Sequence, residues 1–360
     1  MWFRAICVLI FLFVSALTVE AQNRYASIIV DADTLDVLHA RQIDETRYPA
    51  SLTKVMTLHI VFDALDAGTL RLDEKLTVSR NAARTPPVEL GLRTGQKITV
   101  EELIQSVAVR SHNDSAVVLA ERLGGSEAGF AELMNAKAAQ LGMQRTVFRT
   151  PNGLPHPDQV TTARDMAKLA HSILTTHRAR YHYFGQKYFR GQKNTNALLH
   201  DMVEVDGLKT GYTRASGFNL MVSATRNGRR QIAVVLGGAS GESRNQHMRD
   251  LVERGFDVMG VIPKASTQVA VSTRNHGLVL RGSHSVLQTG SWAVALRNLP
   301  SEREVKQTVS ELARNAPATY SSGFVKGKPV YHAKISGLTA QTAKSICKVA
   351  QSRCWLIAPQ

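Results

Sequence analysis

The chain has 360 residues, 44% hydrophobic and 20% charged, which argues for a globular protein with room for two or three domains. Its formal net charge of +15 suits an anionic partner such as a membrane surface or another anionic polymer. The Lys and Arg residues are scattered and form none of the basic blocks of a nucleic-acid tail, so nucleic acid is not expected as a partner.

The N-terminus, MWFRAICVLIFLFVSALTVEAQ, places Arg4 before an apolar run from Ile6 to Val19 and then Val19-Glu20-Ala21. A charged start, a short hydrophobic stretch and a small-x-small site read as a signal peptide cleaved near Ala21. The run is shorter than the ~20 residues of a membrane span. An uncleaved anchor is the alternative. Export of a soluble mature chain is the expectation. Cys7 leaves with the signal, and the remaining pair, Cys347 and Cys354, fits either a disulfide or two buried thiols.

Residues 25–40, YASIIVDADTLDVLHA, read as two strands around an Asp-rich turn. Pro49 disfavours helix at Tyr48, so a helix is expected to start after it. Leu52, Val55, Met56 and Ile60 then mark one face of that helix. From 100 to 175 the pattern is mostly helical, with a break around Ser111–Asp114, a helix closed by Gly142, and another opened by Thr caps at 161–162. Strands return from 202, and Asn227-Gly228 is a two-residue hairpin turn. Residues 243–260 form a helix. This layout predicts an antiparallel sheet built from both ends of one domain, residues 22–262, around a helical lobe. Residues 263–287 read as a linker. Residues 288–360 then run strand 292–297, helix 301–315, two strands, helix 339–352 and a last strand. Ser301 and Glu304 have capping-box spacing. The β-α-β-β-α-β order is the ferredoxin-like arrangement. The predicted fold class is therefore α+β in two units.

No Gly-x-Ser-x-Gly elbow, His-Glu-x-x-His, Walker A loop, Gly-x-Gly-x-x-Gly or Cys-x-x-Cys occurs. The histidines lack ligand spacing, so no metal site and no cofactor are expected. What the chain does carry is Ser51-x-x-Lys54 at the helix start after Pro49. That spacing alone decides nothing, because Ser345 and Lys348 repeat it in mid-helix. Order and context add weight: Ser111-His112-Asn113 lies at the helical break, and Lys209-Thr210-Gly211 opens a returning strand.

This ordered triple resembles that of penicillin-binding proteins and class A β-lactamases. With PNGL at 151–154 and DGLKTGYT at 206–213, residues 25–260 resemble the low-molecular-mass penicillin-binding proteins, serine D-Ala-D-Ala carboxypeptidases of the S11 type with a β-lactamase/transpeptidase-like fold. The resemblance implies a hydrolase of peptidoglycan stem peptides, inhibited by β-lactams. It assigns Ser51 as nucleophile and Lys54 as its base, kept neutral by burial and a nearby cation, Lys209. Ser111 would relay a proton to the departing D-alanine, and Asn113 would bind the substrate backbone. Lys209, Thr210 and, beyond the hairpin, Arg244 would hold the terminal carboxylate. The backbone N–H groups of Ser51 and Tyr212, the latter next to Gly211, would form the oxyanion hole. No Glu-x-x-Leu-Asn loop stands between 140 and 180, so penicillin turnover should be poor. A D,D-endopeptidase and a wall-binding protein with weak catalysis are the alternatives. Residues 288–360 resemble a SPOR domain, a peptidoglycan-binding module of periplasmic division proteins, by element order, the leading WAVALR and the Cys pair. That implies glycan-strand binding and enrichment at the division site. The usual Gly-Ser-Phe-like sequence is replaced by NLPSERE, so no glycan contacts are assigned.

Overall fold

The computed structural model describes residues 24–261, 292–312, 318–325, 328–338, 340–350 and 354–357. The signal-like segment and the 263–287 linker lie outside the described residues. The chain divides into two compact units, Met1–Ser266 and Thr267–Gln360.

The first unit is organised by a five-stranded antiparallel sheet in the order β2-β1-β9-β8-β7. Here β1 is Ala26–Asp31, β2 Val37–Arg41, β7 Val205–Thr213, β8 Gly217–Arg226 and β9 Arg229–Gly238. Two short hairpins, β3 (Lys75–Thr77) with β4 (Lys97–Thr99) and β5 (Tyr188–Phe189) with β6 (Gln192–Lys193), stand apart from it. The first hairpin thus pairs with strands that return near the end of the unit, and the helices lie between them in sequence.

Strand β1 is buried along its whole length. Its side chains alternate between two cores, as a period of two requires. Ala26, Ile28 and Val30 face a core shared with Leu52, Met56 and Phe62. Ile29 faces Met248, Leu251, Val252 and Phe256 of the helix Gly241–Val258. In β9, Ile232 and Val234 belong to the first core and Ala233 and Val235 to the second. Cover on both faces is why these strands read as continuous apolar runs. Between β8 and β9, Asn227 and Gly228 have φ of 51° and 78°, the left-handed pair that a tight hairpin turn needs.

Helix Thr53–Asp66 differs from the one-faced helix that its periodicity predicts. Lys54, Thr57 and His59 are buried along with its apolar residues. Neighbouring helices and the sheet surround it, so polarity no longer marks its outer face. The break expected near Ser111 is a π-helical turn, Ser106–Arg110, ended by Ser111 at φ +66° before a helix restarts at Asn113. The side-chain oxygen of Thr162 accepts from the Asp165 amide to cap Ala163–Thr176, and Ser240 forms a reciprocal box with Ser243.

In the second unit, β10 (Trp292–Leu299), helix Glu302–Leu312, β11 (Ala318–Val325), β12 (Lys328–Leu338), helix Ala340–Ala350 and β13 (Cys354–Ile357) follow one another. The strands pair antiparallel in the order β11-β12-β10-β13. Val294, Leu296, Val305, Val309, Ile335 and Ile346 form its core. Cys347 and Cys354 are joined as a disulfide with Cα atoms 5.0 Å apart, within the span such a bridge needs.

The sheet is tied to the segment before Ser51 by one fully buried side chain. Asn219 on β8 donates through Nδ2 to the carbonyls of Tyr48 and Pro49 at 2.9 and 3.0 Å, and its Oδ1 accepts from the Gly237 amide at 2.9 Å. Asn219→Ala leaves these groups without their partner in a dry setting. We expect a loss of about 2–4 kcal/mol in urea unfolding at unchanged m-value. A change below about 0.5 kcal/mol would contradict the bridging role.

Candidate active site

Ser51 lies in a single 3₁₀ turn, Ala50–Leu52, whose N-cap, Pro49, offers no side-chain capping hydrogen bond. The residue before it, Ala50, has φ +49°, an uncommon backbone for a residue with a Cβ. Two glycines press on this turn. A Cβ at Gly153 (φ +81°) would stand 2.0 Å from the Ala50 carbonyl oxygen, and one at Gly211 3.0 Å from the Ser51 amide nitrogen. The Asn-Gly of PNGL and the Gly of Lys-Thr-Gly are therefore needed for close backbone approach. Edge strand β7 runs beside the serine turn because of it.

One 3₁₀-to-α step later comes Lys54, with 0% of its surface exposed. Its Nζ contacts Ser51 Oγ at 3.1 Å, Asn113 Oδ1 at 2.6 Å and the Asn152 carbonyl at 2.5 Å. Three separate segments thus converge on one amine. Thr57, one turn along, donates to the Pro151 carbonyl and fixes the same loop. The repeat of this spacing, Ser345 and Lys348, is exposed on its helix. Burial separates the two pairs, which spacing could not.

Asn113 donates through Nδ2 to the Pro87 carbonyl, and its amide donates to Val88. Asp114, buried beside it, accepts from the amides of Leu90, Gly91 and Leu92 at 3.0–3.1 Å. This pins loop 87–92 to the start of helix Asn113–Gly124. Ser111 Oγ is buried without a hydrogen-bond partner among the described residues. Thr210 Oγ1 donates to Thr195 Oγ1 at 2.8 Å. Tyr212 is exposed and its ring lies 4.2 Å from that of Phe218. Arg244 is buried, and its Nη1 donates to the Asn219 carbonyl at 2.7 Å.

The field here is positive. Burial, then the charge of Lys209, holds the Lys54 pKa well below its ordinary value, with Asp114 opposing. Lys209, 1% exposed, is lowered to about 7 by burial and by Arg244 and Arg110. His112 is lowered to about 4, mainly by burial. Among the described residues neither lysine forms a salt bridge with a carboxylate. Ser51, Lys54 and Asn113 meet directly, Gly211 abuts the Ser51 amide, and Lys209, Arg244 and Arg110 share one electrostatic neighbourhood. Sequence reasoning gave no role to Asn152, Gly153, Asp114, Asn219 or Arg110. Asn152 and Gly153 belong to the PNGL segment, but no pattern tells that a main-chain oxygen will meet a lysine.

Comparison with known proteins gives a consistent picture. The family described as D-alanyl-D-alanine carboxypeptidase, peptidase S11, matches residues 13–240. The chain is 38% identical over 239 residues to the D-alanyl-D-alanine carboxypeptidase DacD of Escherichia coli K12, covering 63% of this chain and 62% of that one. It is 32% identical over 317 residues to DacA of Haemophilus influenzae, covering 84% and 79%. It is also 32% identical over 238 residues to the D-alanyl-D-alanine endopeptidase of Escherichia coli K12, covering 62% and 74%. The chain spans 63% of the length of the similar DacF carboxypeptidase of Bacillus subtilis. Penicillin binding protein 5 from Haemophilus influenzae superposes with a TM-score of 0.62 at 34% identity, covering 64% of this chain and 70% of that one. Cefotaxime-bound penicillin-binding protein D2 from Listeria monocytogenes superposes with 0.59 at 32% identity, covering 64% and 96%. The first unit thus has the penicillin-binding, transpeptidase-like α+β fold.

The shift at Lys209 has a stability signature. Its folded value, about 7, lies below the 10.5 of a free lysine, so between these pH values the unfolded chain holds a proton that the folded chain has released. Stability therefore rises with pH across that window. Lys209→Met removes this contribution. Its urea midpoint should exceed that of the wild type at pH ~7 and rise less on going to pH ~10. Equal rises in both proteins would contradict the depressed value.

Proposed function

The chain belongs to the D-alanyl-D-alanine carboxypeptidase family, and from that premise we propose that it removes the terminal D-alanine from peptidoglycan stem peptides through an ester on Ser51. One observation carries the reading. Two of the three partners of Lys54 Nζ, Asn113 Oδ1 and the Asn152 carbonyl, are acceptors only. A neutral amine has two N–H groups and one lone pair. With both hydrogens committed to those oxygens, the lone pair faces Ser51, and the serine hydroxyl donates to it. The depressed Lys54 pKa supplies the neutral form.

Ser51 Oγ attacks the carbonyl carbon of the penultimate D-alanine while its proton passes to Lys54 Nζ. The backbone N–H groups of Ser51 and Tyr212 receive the oxyanion. As the C–N bond breaks, the Lys54 proton passes through the unpartnered Ser111 hydroxyl to the leaving amine. Water then adds to the ester, the acyl product leaves and Ser51 regains its proton. Lys209, Arg244 and Thr210 hold the terminal carboxylate, and Asn113 the substrate backbone. The substrate carboxylate favours protonated Lys209, reversing the shift that burial imposes. β-Lactams acylate the same serine. The chain has no Glu-x-x-Leu-Asn segment between 140 and 180 to activate the deacylating water, which supports a long-lived penicilloyl-Ser51.

The 32% identical endopeptidase supports a second reading, cleavage of D,D-cross-links by the same site. Digestion of monomeric against cross-linked muropeptides separates the two. For the second unit, its β-α-β-β-α-β order and the strand order β11-β12-β10-β13 support a ferredoxin-like, SPOR-type glycan-binding domain. The proposed setting is the periplasm, at sites of division, after cleavage near Ala21. Binding to isolated sacculi that is lost on removal of residues 288–360 tests the glycan role.

Intact-mass measurement after penicillin treatment should give one adduct per chain, on Ser51. Ser51→Ala should give none, with D-alanine release from a pentapeptide down on the order of 10⁴-fold or more. A wild-type protein that takes no adduct and frees no D-alanine would sink the proposal.

A further inference from the structure

The far half of the Thr53–Asp66 helix carries a second convergence of reactive side chains. His59 and Asp63 are one turn apart on it, and His177 caps the C-terminus of helix Ala163–Thr176. No ligand spacing marks this site in the sequence, because the two histidines are 118 residues apart. In the fold, His59 Nδ1 lies 3.3 Å from Asp63 Oδ2, His177 Nε2 3.3 Å from Asp63 Oδ1, and the two ring nitrogens 3.3 Å from each other. Both imidazoles are buried and Asp63 is partly so.

The opposite nitrogens are already engaged. His177 Nδ1 meets Asp66 Oδ2 at 2.8 Å, and Asp66 is itself held by Arg180. His59 Nε2 meets Ser172 Oγ at 2.8 Å. A neutral imidazole has one N–H and one lone pair. The Asp66 carboxylate takes the His177 Nδ1–H, so His177 Nε2 presents a lone pair. His59 has two tautomers open to it. With Ser172 donating to Nε2, Nδ1–H points at Asp63 and His177. With Nε2–H given to Ser172, Nδ1 presents another lone pair, the form an ion would select. Two lone pairs and a carboxylate then face one another. Lys137 Nζ, 2.9 Å from Asp63 Oδ2, compensates the carboxylate alone. In that tautomer the two facing lone pairs are left for a cation. A tetrahedral ion at about 2.0–2.1 Å from each donor sets donors about 3.4 Å apart. The 3.3 Å between His59 Nδ1 and His177 Nε2 matches such an edge, and each ring nitrogen meets one oxygen of Asp63 at the same distance.

We infer that His59, Asp63 and His177 bind one divalent transition-metal ion of the zinc class, with water as a fourth ligand. Two imidazoles and one carboxylate suit zinc and its neighbours and not calcium or magnesium, which take oxygen ligands. Asp66 and Ser172 orient the rings from behind, as outer partners of metal-bound histidines do. The ion joins the helix that begins at the Ser51–Lys54 pair to the end of helix Ala163–Thr176. It acts as a staple there, and none of its ligands belongs to the Ser51 cluster.

The test uses the full chain, stripped with chelator and titrated with Zn²⁺ or Co²⁺. Wild type should bind one ion, with a melting temperature about 5–10 °C higher at a hundredfold excess over Kd. Co²⁺ should show the visible bands of four- or five-coordination. Asp63→Asn and His177→Gln should lose the bands and the shift, while His182→Gln, at an exposed histidine, keeps both. Asp63→Asn, at the more exposed position, decides the matter if His177→Gln folds poorly, and penicillin acylation reports that each variant is folded. No binding by wild type at a tenfold molar excess of metal, or binding undiminished in Asp63→Asn, overturns the inference.

Discussion

A lysine amine with no exposed surface sits where the Ser51 turn, the start of helix Asn113–Gly124 and the Asn152 carbonyl meet. Burying an ammonium group is costly, and the protein answers by favouring the neutral amine and by offering acceptors for its hydrogens. The two acceptors come from positions 59 and 98 residues away in the chain. The arrangement therefore exists only when the whole first unit has folded. Lys209, also buried and also depressed, adds a second unfavourable charge to the same region. Such a site is a place where a fold gives up stability for chemistry.

The rest of the first unit serves to hold that amine and its serine in place. Strand β7 can run against the serine turn because Gly211 has no Cβ, and the PNGL loop can close from another side because Gly153 has none. Asn219 binds the chain just before Ser51 to the middle of the sheet. Asp114 gathers three amides of the loop 87–92. These contacts use main-chain atoms on at least one side, so the site is built largely from backbone held by a few short polar side chains. Precision of this kind suits a reaction in which a proton must move between atoms about 3 Å apart.

The Thr53–Asp66 helix unites the molecule's chemistry. Its first turn presents Lys54 to the serine, its second holds Thr57 against the Pro151 carbonyl, and its later turns present His59 and Asp63 to His177. On a helix buried on nearly every side polar groups are costly unless they meet partners, as Lys54, Thr57 and His59 do here. Its polar residues are therefore the ones to read for function.

By itself the sequence determined the order of the main strands and helices, the Asn227-Gly228 turn, the break at Ser111 and the ordered motifs Ser51-x-x-Lys54, Ser111-x-Asn113 and Lys209-Thr210-Gly211. Those features rest on local rules: periodicity, caps, positive φ at Gly and Asn, and motif order. Tertiary structure alone decided the rest. It showed that Lys54 is buried beside a half-buried Ser51 whereas Ser345 and Lys348 are both exposed, although their spacing is the same. It brought the Asn152 carbonyl to Lys54, Asn219 to Pro49 and His177 to His59, contacts with no sequence signature. The physical reason is that burial and desolvation belong to the packed chain and not to any segment of it. The pKa shifts and the convergence of lone pairs follow from that packing.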